Sequence, residues 1–141
     1  MSDSFDPQRF LTAQAPVYST VLAEIRAGRK QTHWMWFVFP QLAALGRSER
    51  ARHYGLSGLA DAQAYFDHAI LGARLVACVR ALTYVHFRTA HEIFGSPDDL
   101  KLRSCLTLFS RAVPREPIFA QALEKYFNGE PDPLTVQLLE H

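Results

Sequence analysis

The sequence predicts an all-α fold on three observations. Helix-start signals recur along the chain, at Asp6-Pro7, Ser96-Pro97-Asp98-Asp99 and Asp132-Pro133. Apolar residues recur at helical spacing, as in Val17, Val21, Leu22 and Ile25, or in Leu71, Leu75, Cys78 and Leu82. Isolated glycines, Gly28, Gly55 and Gly129, stand where such stretches end. The start signals work because a short polar side chain accepts hydrogen bonds from the free amides of a first turn, and proline lacks only a donor that is unused there. Glycine closes a last turn because it takes the left-handed conformation without a steric cost.

Each element follows in order. Asp6-Pro7 opens a helix that runs to about Gln14, and Pro16 restarts the chain into a second helix ended by Gly28. Lys30 to Gln41 forms a connector, extended at Trp36–Phe39, with Pro40 excluding a central strand. A short helix starts at Ser48 and stops before Gly55, and another runs from about Leu59 to Asp67. Ala69 to about Phe87 reads as the long central helix. Ser96 is placed as the next cap, with Pro97 at the first position and Asp99 closing a capping box. That helix carries Lys101 to about Ser110, with Leu102, Leu106 and Phe109 as its core stripe. Pro117 to Asn128 forms a further helix, and Asp132-Pro133 starts the last. No repeat, low-complexity stretch or linker divides residues 1–141, so a single helical domain is expected, long enough to bury a sizeable core.

Composition narrows the function classes. A hydrophobic fraction of 48% and a charged fraction of 21% are those of a soluble globular protein. A net charge of +1 implies neither a nucleic-acid nor a membrane partner. The longest apolar run, Trp34 to Pro40, is too short to span a bilayer, and the first residues show no signal-peptide pattern, so a cytoplasmic location is expected. Cys78 and Cys105 sit among apolar residues without a CxxC spacing and read as reduced core residues. His53, His86 and His91 make no metal-ligand spacing, and the glycines are isolated, so neither a metal nor a phosphate-binding glycine loop is expected. No cofactor is implied, and the Gly-x-Ser-x-Gly nucleophile pattern is absent.

Three sets of residues can carry chemistry. The first is the segment His33-Trp34-Met35-Trp36-Phe37-Val38-Phe39-Pro40-Gln41, which holds both tryptophans of the chain. It is either a buried plug or the floor of a pocket that stacks a flat ligand. Basic residues surround it: residues 21–60 hold six basic and two acidic residues, a net of +4, whereas residues 116–141 carry a net of −4. In an extended segment Trp34 and Trp36 share one side. That side could stack a base while His33 and Gln41 supply hydrogen bonds and Arg47 a charge. The alternative for the charges is two solvated faces of opposite sign. Single-stranded nucleic acid ranks lower as a partner, because no continuous basic groove is visible in the sequence.

The second set is Asp61, Tyr65 and His68, at i, i+4 and i+7 of one predicted helix and therefore on one face. A carboxylate and an imidazole so placed suit acid/base work, and an ordinary polar helix face is the alternative. The third set is Lys101, Arg103 and Ser104 near a helix start, where anions are favoured. There the alternative is pairing of Lys101 and Arg103 with Asp98 and Asp99.

On these residues the chain resembles a mainly helical bacterial and fungal family of unknown function. The resemblance rests on Gly28-Arg29-Lys30, His33-Trp34-Met35-Trp36, Phe39-Pro40-Gln41, Leu45-Gly46-Arg47-Ser48, Tyr65, His68, Ile93-Phe94-Gly95, Lys101-Leu102-Arg103-Ser104, Thr107-Leu108-Phe109 and Phe127-Asn128-Gly129. Ala69, Cys105 and Asp61 stand where proline, serine and glutamate are usual. More distantly, the order Trp36–Pro40, Asp61–His68, Lys101-Leu102 is similar to that of the NADAR superfamily, helical N-glycosidases linked to ADP-ribose and to riboflavin-pathway intermediates. His68 replaces the lysine that closes the acidic-aromatic helix there, and an imidazole cannot form lysine's stable iminium with a sugar aldehyde.

Two functions from different classes follow. One is an N-glycosidase-type hydrolase acting on an ADP-ribose-like or nucleotide-like compound. In it Trp34 or Trp36 stacks the base, Asp61 stabilises oxocarbenium charge or activates water, His68 shuttles protons, and Arg47, Lys101 and Arg103 hold phosphates. Tyr65 and Ser104 complete its ligand-binding set. The other is a non-catalytic module that binds a nucleotide-like ligand or a protein partner through residues 33–41.

Overall fold

The computed structural model describes residues 5–140. The reading of the first four residues as free of a leader pattern lies outside the described residues. The described chain is all-α. Its helices are α1 (Gln8–Gln14), α2 (Tyr18–Arg26), α3 (Met35–Val38), α4 (Glu49–His53), α5 (Leu59–Asp67), α6 (Ala69–Thr83), α7 (Ala90–Phe94), α8 (Asp98–Ala112), α9 (Ile118–Phe127) and α10 (Pro133–Leu139), with a 3-10 turn at Ala43–Leu45.

The caps read from the sequence largely form. Asp6 accepts from the Gln8 amide at 3.0 Å, Ser48 from Ala51 at 3.1 Å, and Asp132 from Thr135 at 2.9 Å. At the end of α2, Gly28 has φ +74°, and its amide reaches the Ile25 carbonyl at 2.9 Å while the Arg29 amide reaches Glu24 at 3.0 Å. These bonds satisfy two carbonyls the helix leaves open.

Three expectations are corrected. Trp36–Phe39 is not extended: it lies in the single turn α3 and its cap, where the Phe39 amide bonds the Met35 carbonyl at 3.0 Å. Coiling lets Trp34, Met35, Val38 and Phe39 all reach the core, which an alternating strand would forbid. The central helix stops at Thr83 instead of reaching Phe87, whose φ of +63° breaks the helical path. The capping box predicted at Ser96 does not form, because α8 starts at Asp98 with no side-chain cap and the Asp99 carboxylate accepts from the Leu100 amide instead. The box occurs one helix earlier. Thr89 accepts from the Glu92 amide at 3.0 Å, and Glu92 accepts from the Thr89 amide at 2.8 Å, opening the unpredicted α7.

Two helices organise the packing. α8 lies against α5, α7, α9 and α10, and α6 against α2, α5 and α9. The stripes Leu71, Leu75, Cys78, Leu82 and Leu102, Leu106, Phe109 are all buried. Each such apolar side chain contributes about 1.5–3 kcal/mol by leaving water. Cys78 and Cys105 are buried free thiols, and burial pushes the Cys78 thiol up to about 12. Among the described residues no helix is long and apolar enough to cross a membrane, and no His, Cys, Asp and Glu cluster could hold a metal ion.

One small feature positions the site. The Leu56 amide bonds the Gln41 carbonyl at 2.9 Å, and the Ala43 amide bonds Leu56 at 2.8 Å, a parallel bridge between Leu42 and Leu56. The two segments come so close at Gly55 that a Cβ there would stand 2.3 Å from the Ala43 Cα. Only glycine permits this approach, and it fixes the turn that carries Gln41 through Ser48.

Candidate functional site

The aromatic segment is held from two sides by buried polar residues. Glu24 on α2 accepts from the amides of Gln31 (2.8 Å) and Thr32 (3.1 Å), the Thr32 hydroxyl (2.7 Å) and the Trp34 indole N–H (2.9 Å). Burial alone would raise its carboxyl, but these donors outweigh burial and hold it below the ordinary 4.5. From α1, the Gln14 amide donates to the Phe37 carbonyl at 2.6 Å and to the Tyr65 hydroxyl at 2.9 Å. Tyr65 is fully buried, and burial pushes its phenol far up.

The helical turn separates the two tryptophans. Trp34 is buried, tilted against Phe39 at 6.1 Å between ring centroids and edge-on to Phe94 at 6.3 Å. Trp36 is half-buried, and cations gather over its ring: the Arg50 guanidinium lies 5.2 Å and the Lys101 ammonium 5.6 Å from its centroid. A cation near an aromatic face is attracted by the ring's quadrupole, so Trp36 holds Lys101 and Arg50 in place. Asp98 acts on the same group. It meets Lys30 at 3.0 Å and Lys101 at 3.5 Å, one carboxylate between two ammonium groups, which leaves a positive excess.

Beside this cluster opens a cavity of ≈ 390 Å3. Its polar lining is Gln41, Arg47, Ser48, Lys101, Ser104 and Asp132, and its apolar walls include Leu45, Ala51, Leu100 and Leu134. Leu100 and Leu134 are more than half exposed, at 55% and 57%, on the first turns of α8 and α10. Two such exposed leucines converging on one cleft form an apolar rim that water solvates poorly. Arg47 is exposed and has no ion pair among the described residues. The Ser104 hydroxyl donates to the Leu100 carbonyl at 3.2 Å, leaving its lone pairs toward any donor in the cleft.

Four residues singled out in the sequence, Gln41, Arg47, Lys101 and Ser104, thus line one cavity, and Trp36 holds one of its cations. The others lie elsewhere. Trp34 and Tyr65 are in the core, and His33 is exposed and outside the lining. Arg103 turns to the segment before α10, donating to the Glu130 carbonyl at 2.9 Å and meeting its carboxylate at 3.7 Å. The Asp61 carboxylate accepts from the Ser57 amide at 2.9 Å and hydroxyl at 2.7 Å. His68 caps α6, its Nδ1 accepting from the Ile70 and Leu71 amides at 3.2 and 3.3 Å. Asp61 and His68 do not line the cavity that holds Arg47 and Lys101. The sequence sets Lys30, Arg50 and Ser48 among the residues that flank the aromatic segment, but it does not point to Glu24 or Asp132 as parts of this region. For Asp132 a signal existed, since the Asp-Pro pair marking a helix start also marks a side chain fixed at a surface turn.

Fold and cavity together define a small all-α protein with an apolar-walled cleft edged by cations. The chain belongs to the family described as Protein of unknown function (DUF1810), whose model matches residues 4–139. Among solved structures it is similar to the conserved hypothetical protein Rv1873 from Mycobacterium tuberculosis, at 53% identity over 99% of each chain, with a TM-score of 0.96. A comparison with curated proteins gave no match.

Proposed function

We propose that the protein binds a small anionic, nucleotide-like molecule in the cavity between the 41–51 turn and the starts of α8 and α10. The observation that carries this reading is the placement of Lys101 and Arg47, two cations of independent origin in the chain, on one apolar-walled cavity of ≈ 390 Å3. That volume lies in the range of small-molecule sites, and convergent polar groups on apolar walls are their usual make-up. The anionic group lies between Lys101 and Arg47. The less polar part lies against Leu45, Leu100 and Leu134, and Gln41 and Ser104 supply orienting hydrogen bonds. The distant similarity in order of parts to the NADAR superfamily supports a nucleotide-like ligand.

Binding is favoured here over N-glycoside hydrolysis. The two residues the hydrolytic reading needs, Asp61 and His68, hold local bonds through one carboxylate oxygen and Nδ1 respectively, and stand outside the cavity lining. Thermal-shift and calorimetric titration with AMP, ADP-ribose and NAD test the reading. A ligand at a hundred times its dissociation constant stabilises by about 2.7 kcal/mol. Lys101→Met and Arg47→Met keep the apolar stems and should each weaken binding by about tenfold, as loss of a charge-assisted contact does. Absence of a shift with all three compounds, or unchanged affinity in both variants, sinks the binding reading. Turnover of ADP-ribose or NAD that disappears in Asp61→Asn restores the hydrolytic one.

A further inference from the structure

A second surface lies at the C-terminal end of α6 and shares no lining residue with the cavity described above. Between the end of α2 and the last turns of α6 is a cleft of ≈ 330 Å3 lined by Arg26, Ala77, Arg80, Ala81, Tyr84 and Val85. Its floor is apolar, its charged groups are two guanidiniums, and no carboxylate lines it. Neither arginine is ion-paired among the described residues.

The chain leaving this cleft carries an anomaly. Tyr84 is 70% exposed, and Phe87 is fully exposed with a φ of +63°. A bulky residue at positive φ is strained, and a bare phenylalanine ring gains nothing from water, so neither feature serves folding. The loop is nevertheless pinned on both sides. Val85 is buried before Phe87, and after it Arg88 Nε donates to the Gly28 carbonyl at 2.9 Å while Thr89 sits in its capping box. The ring is therefore presented by an anchored loop.

We propose that this face docks an acidic segment of another protein, with an apolar side chain seated on Ala77, Ala81 and Val85, its carboxylates on Arg26 and Arg80, and Tyr84 and Phe87 closing over it. Charge complementarity selects the acidic partner, since an unpaired pair of guanidiniums around an apolar floor matches carboxylates flanking an apolar anchor. A concave floor favours an inserted side chain over a flat lipid surface.

The test is fluorescence anisotropy with a fluorescein-labelled peptide that has Leu-Phe at its centre and glutamates on both flanks. Controls carry lysine flanks or an Ala-Ala centre. The acidic Leu-Phe peptide should bind, and both controls should fail. Arg26→Glu with Arg80→Glu should abolish binding, and Phe87→Gly should weaken it by about tenfold while raising Tm, because glycine relieves the positive φ. That rise separates a binding role from a folding role. The proposal is overturned if the peptides bind equally, if the arginine variant binds normally, or if Phe87→Gly lowers Tm and leaves binding unchanged. Vesicles rich in anionic lipid that bind through Phe87 while the peptide does not, or self-association lost with Phe87, would overturn it in favour of a membrane or a second copy of this chain.

Discussion

Trp34 and Trp36 stand two residues apart and live in different physical worlds. Trp34 has its indole N–H spent on a buried carboxylate and its ring faced by Phe39 and Phe94. Trp36 keeps part of its surface in solvent and has Arg50 and Lys101 drawn over its ring. A strand would have put both on one side. One helical turn rotates them roughly 200° apart about its axis, at 3.6 residues per turn. The lesson is that an aromatic signature can be divided residue by residue between building a core and arranging charge, and backbone geometry makes the division.

The comparison can be broken by substitution. The largest effect is expected at the closed side. Trp34→Ala removes a fully buried ring and should cost about 3–5 kcal/mol in denaturant unfolding. A cost below about 1 kcal/mol would mean that the ring is not part of the core. Glu24→Gln should cost less, about 1–3 kcal/mol, because the amide still accepts some of the donors while others are left unsatisfied. It also carries a pH signature. The folded carboxyl is held below its ordinary 4.5, so the folded state binds fewer protons than the unfolded one. Glu24 therefore adds stability above pH 4.5, and that part is lost as pH falls through the folded pKa. Tm followed between pH 7 and pH 3 should fall less steeply in Glu24→Gln than in the parent, and parallel curves would refute the assignment. The smallest effect on stability belongs to the open side. Trp36→Leu should stay within about 1 kcal/mol, yet weaken AMP or ADP-ribose binding by freeing Lys101. An equal loss of stability in the two tryptophan variants would erase the distinction.

How much was readable in the sequence depends on where each residue's hydrogen bonds are spent. Ser48, Asp132 and Gly28 act within a few residues of themselves, so local chemistry revealed them. Lys101 and Ser104 share one helical face because i and i+3 are neighbours, and both line the cavity. The expectation of an all-α chain held for the same local reasons. The convergence of Gln41 and Arg47 with α8 and α10 depends on the Leu42–Leu56 bridge, which unites residues with no sequence pattern in common. Asp61, Tyr65 and His68 show the opposite case. Their spacing is suited to a site, but two of the three end in turn and cap bonds, and Tyr65 is sealed against Gln14. Thr89 and Glu92 were overlooked because α7 has only five residues, too few for an apolar period to show.

Asp98 gives the two tryptophans a shared account after all. Its carboxylate meets Lys30, which lies over Trp34 at 5.1 Å, and Lys101, which lies over Trp36. An anion arriving at Lys101 competes with Asp98 for that ammonium and leaves more of the carboxylate to Lys30. On the proposed binding reading the core side and the cavity side are thermodynamically linked, and such linkage is reciprocal. On that same reading, whatever strengthens the Lys30–Asp98 pair makes Lys101 more available to a ligand, and a bound ligand tightens the region around the buried indole.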